Sequence, residues 1–383
     1  MVKYMAVKKK LKLKPAYINL LKTIGKILGT ILAIILAVFL FYRYEINSIK
    51  KLGYSEEASQ QILFKFKKKY VSSITYSKTL DTAFRSKDFS EKYMKKYEHI
   101  DYHKGEHFIK NINTLLSKKY SYNDINMIFS HGSDNDVLEF SKRDRVNYLE
   151  EYYSYDFAKL KNYDKYVKHS EEYGENAYVT VVRVNLMLDE EEYKNPIIVD
   201  KFKTNMLVNK HFKLDDKFKV EELVTIPKDM ASEGGLKLQK EAFEAYKKMS
   251  EDATKNGYSL YINTAYRSHS DQQKLCDLYT KTYGPDYTKK YVAYPGYSEH
   301  ETGLAIDVAS KNSNVFANSK EYLWMIDNAY KYGYILRYTN QFVSDTGFRS
   351  EAWHYRYVGK EISKYLHEHK VSFEEYYAVF IDK

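Results

Sequence analysis

Cysteine and proline are both scarce in this chain of 383 residues. The single cysteine, Cys276, excludes an internal disulfide bond in any compartment. Five prolines argue against long extended linkers between folded segments. Hydrophobic residues account for 44% of the sequence, which suffices for a sizeable core. The length indicates two domains, or one domain with an accessory region.

Acidic residues are absent from the first part of the chain, where Glu45 is the earliest. Lysines at positions 3, 8, 9, 10, 12 and 14 precede the apolar run that begins at Ile27, and the whole chain carries a formal net charge of +10. A basic balance of this size favours attraction to a polyanion. A solvated, lysine-rich surface explains the same balance equally well.

An apolar run near the N-terminus is long enough to cross a membrane. Residues 27–41 are uncharged throughout, and a spanning helix of roughly 20 residues fits within residues 17–42. The preceding lysines predict a cytoplasmic basic tail at residues 1–16 and an extracytoplasmic remainder. A cleaved signal peptide is the alternative, but the following YRYEINSIKK lacks a small-x-small cleavage site and a cysteine for lipid attachment. We therefore favour an uncleaved transmembrane signal anchor.

The segment 43–176 is predicted to be a helical, repeat-like spacer. Aromatic–serine pairs recur in it, with serines 35, 31 and 33 residues apart. Serine is a favoured helix N-cap, and a period in the low thirties suits a stacked helix-turn-helix unit. Chance recurrence in a tyrosine-rich chain is the alternative. If the repeat is real, a helix begins at each of the four serines: Ser55, Ser90, Ser121 and Ser154.

The pattern changes towards the C-terminus. The stretch AYVTVVRVNLML at residues 177–188 alternates like a strand, and we interpret 177–203 as a strand-rich connector. In residues 204–383 predicted helices and strands mix without regular βαβ alternation. This mixture predicts an α+β domain with a mostly antiparallel sheet.

Chemistry-bearing residues cluster in two motifs of this last region. YPGYSEHETGLAIDVAS contains Ser298, His300 and Asp307, and EAWH contains Glu351 and His354. Two imidazoles and one carboxylate form a sound catalytic zinc set that leaves a further position open. A glutamate three residues from a ligand can serve as the general base. The sequence therefore contains the parts of a metal-assisted hydrolase.

These ordered motifs resemble those of the VanY-type zinc D-alanyl-D-alanine carboxypeptidases. That family shares a fold group with lysostaphin-type endopeptidases and the hedgehog signalling domain. The resemblance covers roughly residues 204–365 and includes the segments LVNKHFKL, AYRSHSDQQ, RYTNQFVSDTGF and WHYRYVG. It implies a Zn²⁺ cofactor held by His300, Asp307 and His354, and Glu351 as the general base.

The same resemblance implies roles for residues that bind substrate. Arg267 corresponds to the arginine that steadies the developing oxyanion, a role worth several kcal/mol for a fixed cation. Ser298 and Gln272 correspond to residues that line the pocket and hydrogen-bond the peptide's terminal end, although they can also be read as a turn residue and a helix-surface residue. Arg337 is a candidate for a second anionic clamp. Glu301 departs from the family, where glutamine is common, and its extra carboxylate is expected to alter the charge of the pocket.

The function expected from this resemblance is D-alanyl-D-alanine carboxypeptidase activity. The expected partners are peptidoglycan stem peptides and the membrane, with anionic wall polymers as candidates for the basic charge and no nucleic acid. L,D-carboxypeptidase or endopeptidase activity on peptidoglycan is an alternative, because family motifs do not separate these bonds. A catalytically silent wall-binding or scaffold protein is an alternative of another class.

Overall fold

The chain forms two compact units, residues 1–149 and 150–383. The structure is a computed structural model that describes residues 14–65 and 67–382, so most of the basic tail predicted at residues 1–16 lies outside the described residues. The sequence-based boundary between spacer and connector, 176/177, differs from the division by packing, which comes after Leu149. Residues 150–176 pack with the C-terminal unit, where Lys159 forms an ion pair with Asp382 at 2.7 Å.

The described residues of the first unit form helices joined by turns and irregular segments, and none of them forms a strand. Its long N-terminal helix is apolar and exposed over the predicted span, so it is a candidate membrane helix by length and composition. The helices are α1 (Pro15–Lys50), α2 (Glu56–Phe64), α3 (Lys68–Val71), α4 (Lys78–Arg85), α5 (Phe108–Ser117), α6 (Tyr122–Ser130) and α7 (Asp134–Lys142), with a 3-10 helix at Glu91–His99.

The prediction that a helix begins at each of the four serines is wrong for Ser154. Ser55 and Ser121 cap α2 and α6 by accepting hydrogen bonds from backbone amides at 3.2 and 3.0 Å. Ser90 precedes the 3-10 helix without a side-chain cap. Ser154 lies in a turn after the helix Leu149–Tyr153, and residues 155–159 are not helical. An aromatic–serine pair is a local signal, and it does not determine on which side of the serine a helix forms.

The second unit combines helices with short strands. Its helices are α8 (Leu149–Tyr153), α9 (Tyr163–Tyr173), α10 (Ala177–Asn185), α11 (Lys240–Lys255), α12 (His269–Tyr283), α13 (Pro285–Tyr291), α14 (Lys320–Asn328), α15 (Val343–Thr346), α16 (Lys360–His369) and α17 (Phe373–Tyr376). Its strands are β1 (Ile197–Val199), β2 (Phe212–Leu214), β3 (Leu223–Thr225), β4 (Lys237–Gln239), β5 (Leu260–Thr264), β6 (Ala305–Ser310), β7 (Tyr334–Leu336) and β8 (His354–Tyr357).

The prediction of a strand at residues 177–188 is wrong, because this stretch forms helix α10. Asn176 caps the helix by accepting a hydrogen bond from the Val179 amide at 3.0 Å. Val181 and Val184 are buried in the unit. Their packing outweighs the strand preference of β-branched residues, which depends strongly on context. Within the predicted connector 177–203, which the structure describes in full, β1 is the one strand.

The α+β class is confirmed, but the emphasis on sheet is not. The main sheet has the order β5-β6-β8-β7 and is antiparallel throughout, and β3 pairs antiparallel with β4. The pair β1-β2 is parallel. Strands are no longer than six residues, and helix outweighs strand over the described chain. The helices that cover the sheet were only partly visible as periodic segments in the sequence.

Strand β6 separates the core of the second unit from a polar site. Ile306 and Val308 are fully buried in the apolar cluster, together with Ile262 from β5 and Tyr355 from β8. Successive side chains of a strand point to opposite faces, so Asp307 projects to the other face of the sheet. The alternation that builds the core therefore also positions a carboxylate outside it.

Candidate metal centre and active site

Two of the predicted metal ligands lie opposite each other on neighbouring strands. Asp307 of β6 and His354 of β8 are register partners in the antiparallel pair. Residues opposite each other in such a pair bring their side chains within contact distance on one face. The Asp307 Oδ1 to His354 Nδ1 distance is 3.2 Å. Strand pairing thus joins two motifs that are 47 residues apart in the sequence.

The third ligand comes from the 3-10 helix Glu299–Thr302, which leads into β6. The helix ends at Gly303 in the left-handed region, with φ of 69°, and a Cβ there would lie 3.0 Å from Val220. This position therefore favours glycine. His300 Nδ1 lies 2.9 Å from the Ala265 carbonyl oxygen and donates to it, which leaves Nε2 directed at Asp307, 3.4 Å from Oδ1.

The three side chains fit a metal ion. One ligand atom from each of His300, Asp307 and His354 lies within 4.8 Å of the other two. Asp307 Oδ1 is buried and has no hydrogen-bond partner among the described residues, although two imidazole nitrogens face it. Burial alone would raise the pKa of Asp307, but those imidazoles hold it well below its usual range. An anionic oxygen and two imidazole nitrogens converging on one point are the donor set of a catalytic zinc site.

A second carboxylate, not predicted from the sequence, orients His354. Glu299 is fully buried, and its Oε2 lies 3.3 Å from His354 Nε2. Its Oε1 accepts hydrogen bonds from Arg337 at 2.8 Å and Arg356 at 3.1 Å. Burial alone would raise the pKa of Glu299, but the two guanidinium groups hold it well below its usual range. A carboxylate behind a ligating imidazole fixes its tautomer and ring orientation, so that Nδ1 of His354 remains free to bind a metal.

Glu351 lies beside the ligand cluster, just before β8. Its Oε2 is 3.8 Å from His354 Nδ1, and its backbone amide donates to the Tyr338 carbonyl at 3.0 Å. Burial raises the pKa of Glu351 to about 7. The neighbouring His354 lowers this pKa, whereas the negative charges of Asp307 and Glu299 raise it. A carboxyl group that titrates near neutral pH is suited to accept and return a proton.

Three further predicted residues line the same cleft. Arg267 directs Nη1 to Gln272 Oε1 at 2.7 Å, and Gln272 Nε2 donates to the Ala293 carbonyl at 2.6 Å. Both ends of the Gln272 amide are thus engaged within the protein, and its geometry suits holding Arg267 rather than binding a ligand directly. Ser298 is buried and directly precedes the 3-10 helix Glu299–Thr302, and its hydroxyl makes no hydrogen bond within the described residues.

Arg337 was predicted as a second anionic clamp, and the structure contradicts that position. Its side chain is 2% exposed, and it binds Glu299 and Glu374 rather than facing the cleft. Three of the five N–H donors of the guanidinium group bind these two carboxylates, and Arg337 does not line the cleft that contains the metal ligands. Glu301, which was expected to alter the charge of the pocket, does not line the cleft: it is buried, accepts from the Gly296 amide at 2.7 Å and lies 3.0 Å from His269 Nδ1. Its charge still acts on the cleft residue Arg267, whose pKa is lowered by burial and raised by Asp307 and Glu301.

The cleft has a volume of about 220 Å³ and combines the polar site with aromatic walls. The ring of Tyr338 lies against that of His354, with centroids 4.8 Å apart. In a chain with 41 tyrosines, composition offers no signal that could single out these walls. The lining residues are Arg267, Gln272, Leu275, Tyr279, Tyr291, Val292, Ala293, Ser298, Glu299, His300, Asp307, Tyr338, Phe348, Glu351, Trp353 and His354.

Comparisons with known proteins relate the region that contains this site to carboxypeptidases. The VanY family model, described as D-alanyl-D-alanine carboxypeptidase, matches residues 235–360. The chain is 36% identical to YodJ of Bacillus subtilis over 45% of this chain and 66% of YodJ. It is 33% identical to the bifunctional D-Ala-D-Ala dipeptidase and carboxypeptidase VanXYC of Enterococcus gallinarum, over 45% of this chain and 93% of that protein. The solved LD-carboxypeptidase LdcB is 33% identical over 49% of this chain and 92% of that one, with a TM-score of 0.45.

A His-Asp-His cluster beside a half-buried glutamate in an α+β unit is the arrangement typical of zinc peptide hydrolases. The chain belongs to the VanY family of D-alanyl-D-alanine carboxypeptidases. The resemblance read from the motifs is confirmed. The matched segment covers less than two thirds of YodJ, and the residues before it lie outside the family match.

The contact between Glu299 and His354 leads to a test of metal binding. Glu299→Gln is expected to weaken zinc affinity roughly 10- to 100-fold, because the neutral amide no longer holds the imidazole as a carboxylate does. Glu301→Gln is the matched control. Glu301 is also a buried glutamate and lies two residues after Glu299, but its carboxylate contacts Gly296 and His269 and not the side chain of a metal ligand. Zinc affinity would be measured by competition with a chelator, with circular dichroism to verify folding. Equal affinity for the wild type and Glu299→Gln would contradict the orienting role.

Proposed function

We propose that this protein is a zinc-dependent D-alanyl-D-alanine carboxypeptidase that trims peptidoglycan stem peptides at the outer face of a bacterial membrane. One observation carries the proposal: a candidate zinc cluster, a glutamate with a pKa of about 7 and a half-buried arginine, Arg267, line the same cleft. Membership of the VanY family supports the substrate class, and VanXYC is named for the same D-Ala-D-Ala bond.

The chain's own residues have separable tasks in such a reaction. His300, Asp307 and His354 would hold Zn²⁺, which supplies Lewis acidity and lowers the pKa of a coordinated water to about 7. Glu351 would accept a proton from the attacking water at its carboxylate. It would then donate this proton to the nitrogen of the leaving D-alanine as the amide C–N bond breaks.

Arg267 would stabilise the charge that develops on the scissile carbonyl oxygen. Its backbone amide donates to the His300 carbonyl at 3.2 Å, and its side chain is held by Gln272. These two contacts fix the guanidinium group before substrate arrives, which reduces the reorganisation needed during reaction. The Ser298 hydroxyl would donate to the terminal carboxylate of the peptide.

Anchoring is part of the proposal. Helix α1 contains an 18-residue window with a mean hydropathy of 2.5, none of which is buried in the protein. An exposed apolar surface of this length is stable in a bilayer and costly in water. We propose that α1 remains attached as a single-pass anchor with the N-terminus in the cytoplasm, so that the cleft faces the cell wall.

Three outcomes separate this function from its alternatives. Full-length protein in detergent would be incubated with defined tri-, tetra- and pentapeptide stems, and released amino acids would be identified. We expect D-alanine from the pentapeptide and no product from the tetrapeptide. Release from the tetrapeptide instead would assign L,D-carboxypeptidase activity. Binding of the stems without release of any product, in a sample that contains zinc, would support the wall-binding alternative.

A further inference from the structure

Helix α1 extends beyond its predicted membrane span, and helix α2 folds back and packs against this extension. Helix α1 continues without interruption from the span to Lys50, so residues 43–50 lie on the outer side if the span is in the membrane. Ile46 and Ile49 are buried on α1, and Ala58 and Ile62 are buried on α2, which contacts α1. We call this pair, residues 42–64, the juxtamembrane hairpin.

The hairpin returns its C-terminal end to the level where the span ends. At its far end, Lys50 pairs with Glu56 at 2.9 Å. At its near end, Phe64 and Tyr42 line the same shallow depression, and Tyr42 is the last residue of the predicted span. An ion pair between Lys68 and Glu45 holds the chain in this place after α2 ends.

Among the described residues, Phe64 is not packed into an apolar core. Its side chain is 81% exposed, the highest value among the large hydrophobic residues, although neighbouring Ile62 is completely buried. Tyr42 and Tyr44 are also exposed on the same stretch. Aromatic side chains concentrate at the boundary between headgroups and acyl chains, where their rings are more stable than in water. Exposed aromatics in continuity with a membrane-spanning helix indicate a surface that contacts lipid.

We propose that the juxtamembrane hairpin lies against the outer surface of the bilayer and that Phe64 inserts into its interface. The proposal rests on α1 spanning the membrane. The exposed Lys69 follows Phe64 and could reach lipid phosphates. Lys65 instead lies over the Phe89 ring, and Lys67 and Lys68 are paired with Glu91 and Glu45. A ring at the acyl boundary with a lysine near it at the headgroups is typical of an interfacial helix. The first unit would thus be attached to the membrane at two points instead of one.

Site-specific fluorescence quenching tests this contact in the full chain. Cys276→Ala removes the native thiol, and single cysteines labelled with an environment-sensitive dye replace Phe64, Leu36 or Leu52. The protein is reconstituted into vesicles of phosphatidylcholine and phosphatidylglycerol in equal parts, with spin-labelled lipids as quenchers. Leu36 lies within the span, and Leu52 is an exposed residue at the far end of the hairpin, roughly 12 Å beyond Tyr42 along the helix axis.

We expect the dye at position 64 to be quenched to a degree closer to position 36 than to position 52, and most strongly by a shallow quencher. The proposal is overturned if position 64 behaves like position 52 while position 36 is quenched. If position 36 is not quenched either, the membrane span itself is wrong, and the proposal fails with it. Because Phe64 is exposed, its replacement is not expected to disturb folding, and circular dichroism would verify this.

Discussion

Glu351→Gln is expected to keep bound zinc and to lose roughly 10²- to 10⁴-fold of turnover on a scissile stem peptide. The amide preserves the size and shape of the side chain but cannot accept a proton from water. Glu351 is not one of the three clustered ligands, and its Oε2 is 3.8 Å from the nearest imidazole nitrogen. Turnover would be followed by release of D-alanine, and zinc content by elemental analysis.

Two variants control this experiment. His300→Ala should lose the metal together with activity, because it removes one of three converging donors. Glu301→Gln should retain both, since its carboxylate contacts Gly296 and His269 outside the cleft. A Glu351→Gln enzyme with a near-wild-type rate would show that another group acts as the base. Loss of zinc from this variant would instead make Glu351 a ligand.

Activity is expected to disappear on treatment with a zinc chelator and to return when zinc is added, whereas penicillin should leave it unchanged. Many D-alanyl-D-alanine carboxypeptidases are serine enzymes that use S-x-x-K, S-D-N and K-T-G motifs. This chain has one S-x-x-K, at Ser48 to Lys51, and no K-T-G, because Lys281-Thr282 is followed by tyrosine. Such a serine needs its activating base within hydrogen-bond reach in a folded site.

In the structure, the serines of these motifs do not lie with the candidate metal ligands. Ser48 lies on α1 next to the predicted span, and Ser133 of the S-D-N sequence is the N-cap of α7, where it accepts from the Asp136 amide at 3.2 Å. Both belong to the first unit, whereas the candidate metal ligands belong to the second. Labelled penicillin provides the direct measurement. Covalent labelling at Ser48, or full activity after verified removal of metal, would overturn the metal mechanism.

Local sequence was sufficient for the parts of the site that depend on short motifs. His300, Gly303 and Asp307 form one turn and the start of one strand, and a turn of this type requires the left-handed glycine. The serine caps at Ser55 and Ser121 were likewise predicted, because a cap satisfies backbone donors only three residues away. The apolar span was evident from length and charge alone.

Only the tertiary structure decided which distant groups meet. From the sequence, Arg337 was a candidate clamp for substrate and Glu299 was only the neighbour of a ligand. In the structure they form one buried ion pair behind His354, because β7, β8 and the 3-10 helix converge there. Residues 177–185 alternate like a strand, yet packing makes them helical. A buried charge must find its counter-charge wherever the fold places one. That partner is set by strand pairing across tens of residues, and no local pattern records it.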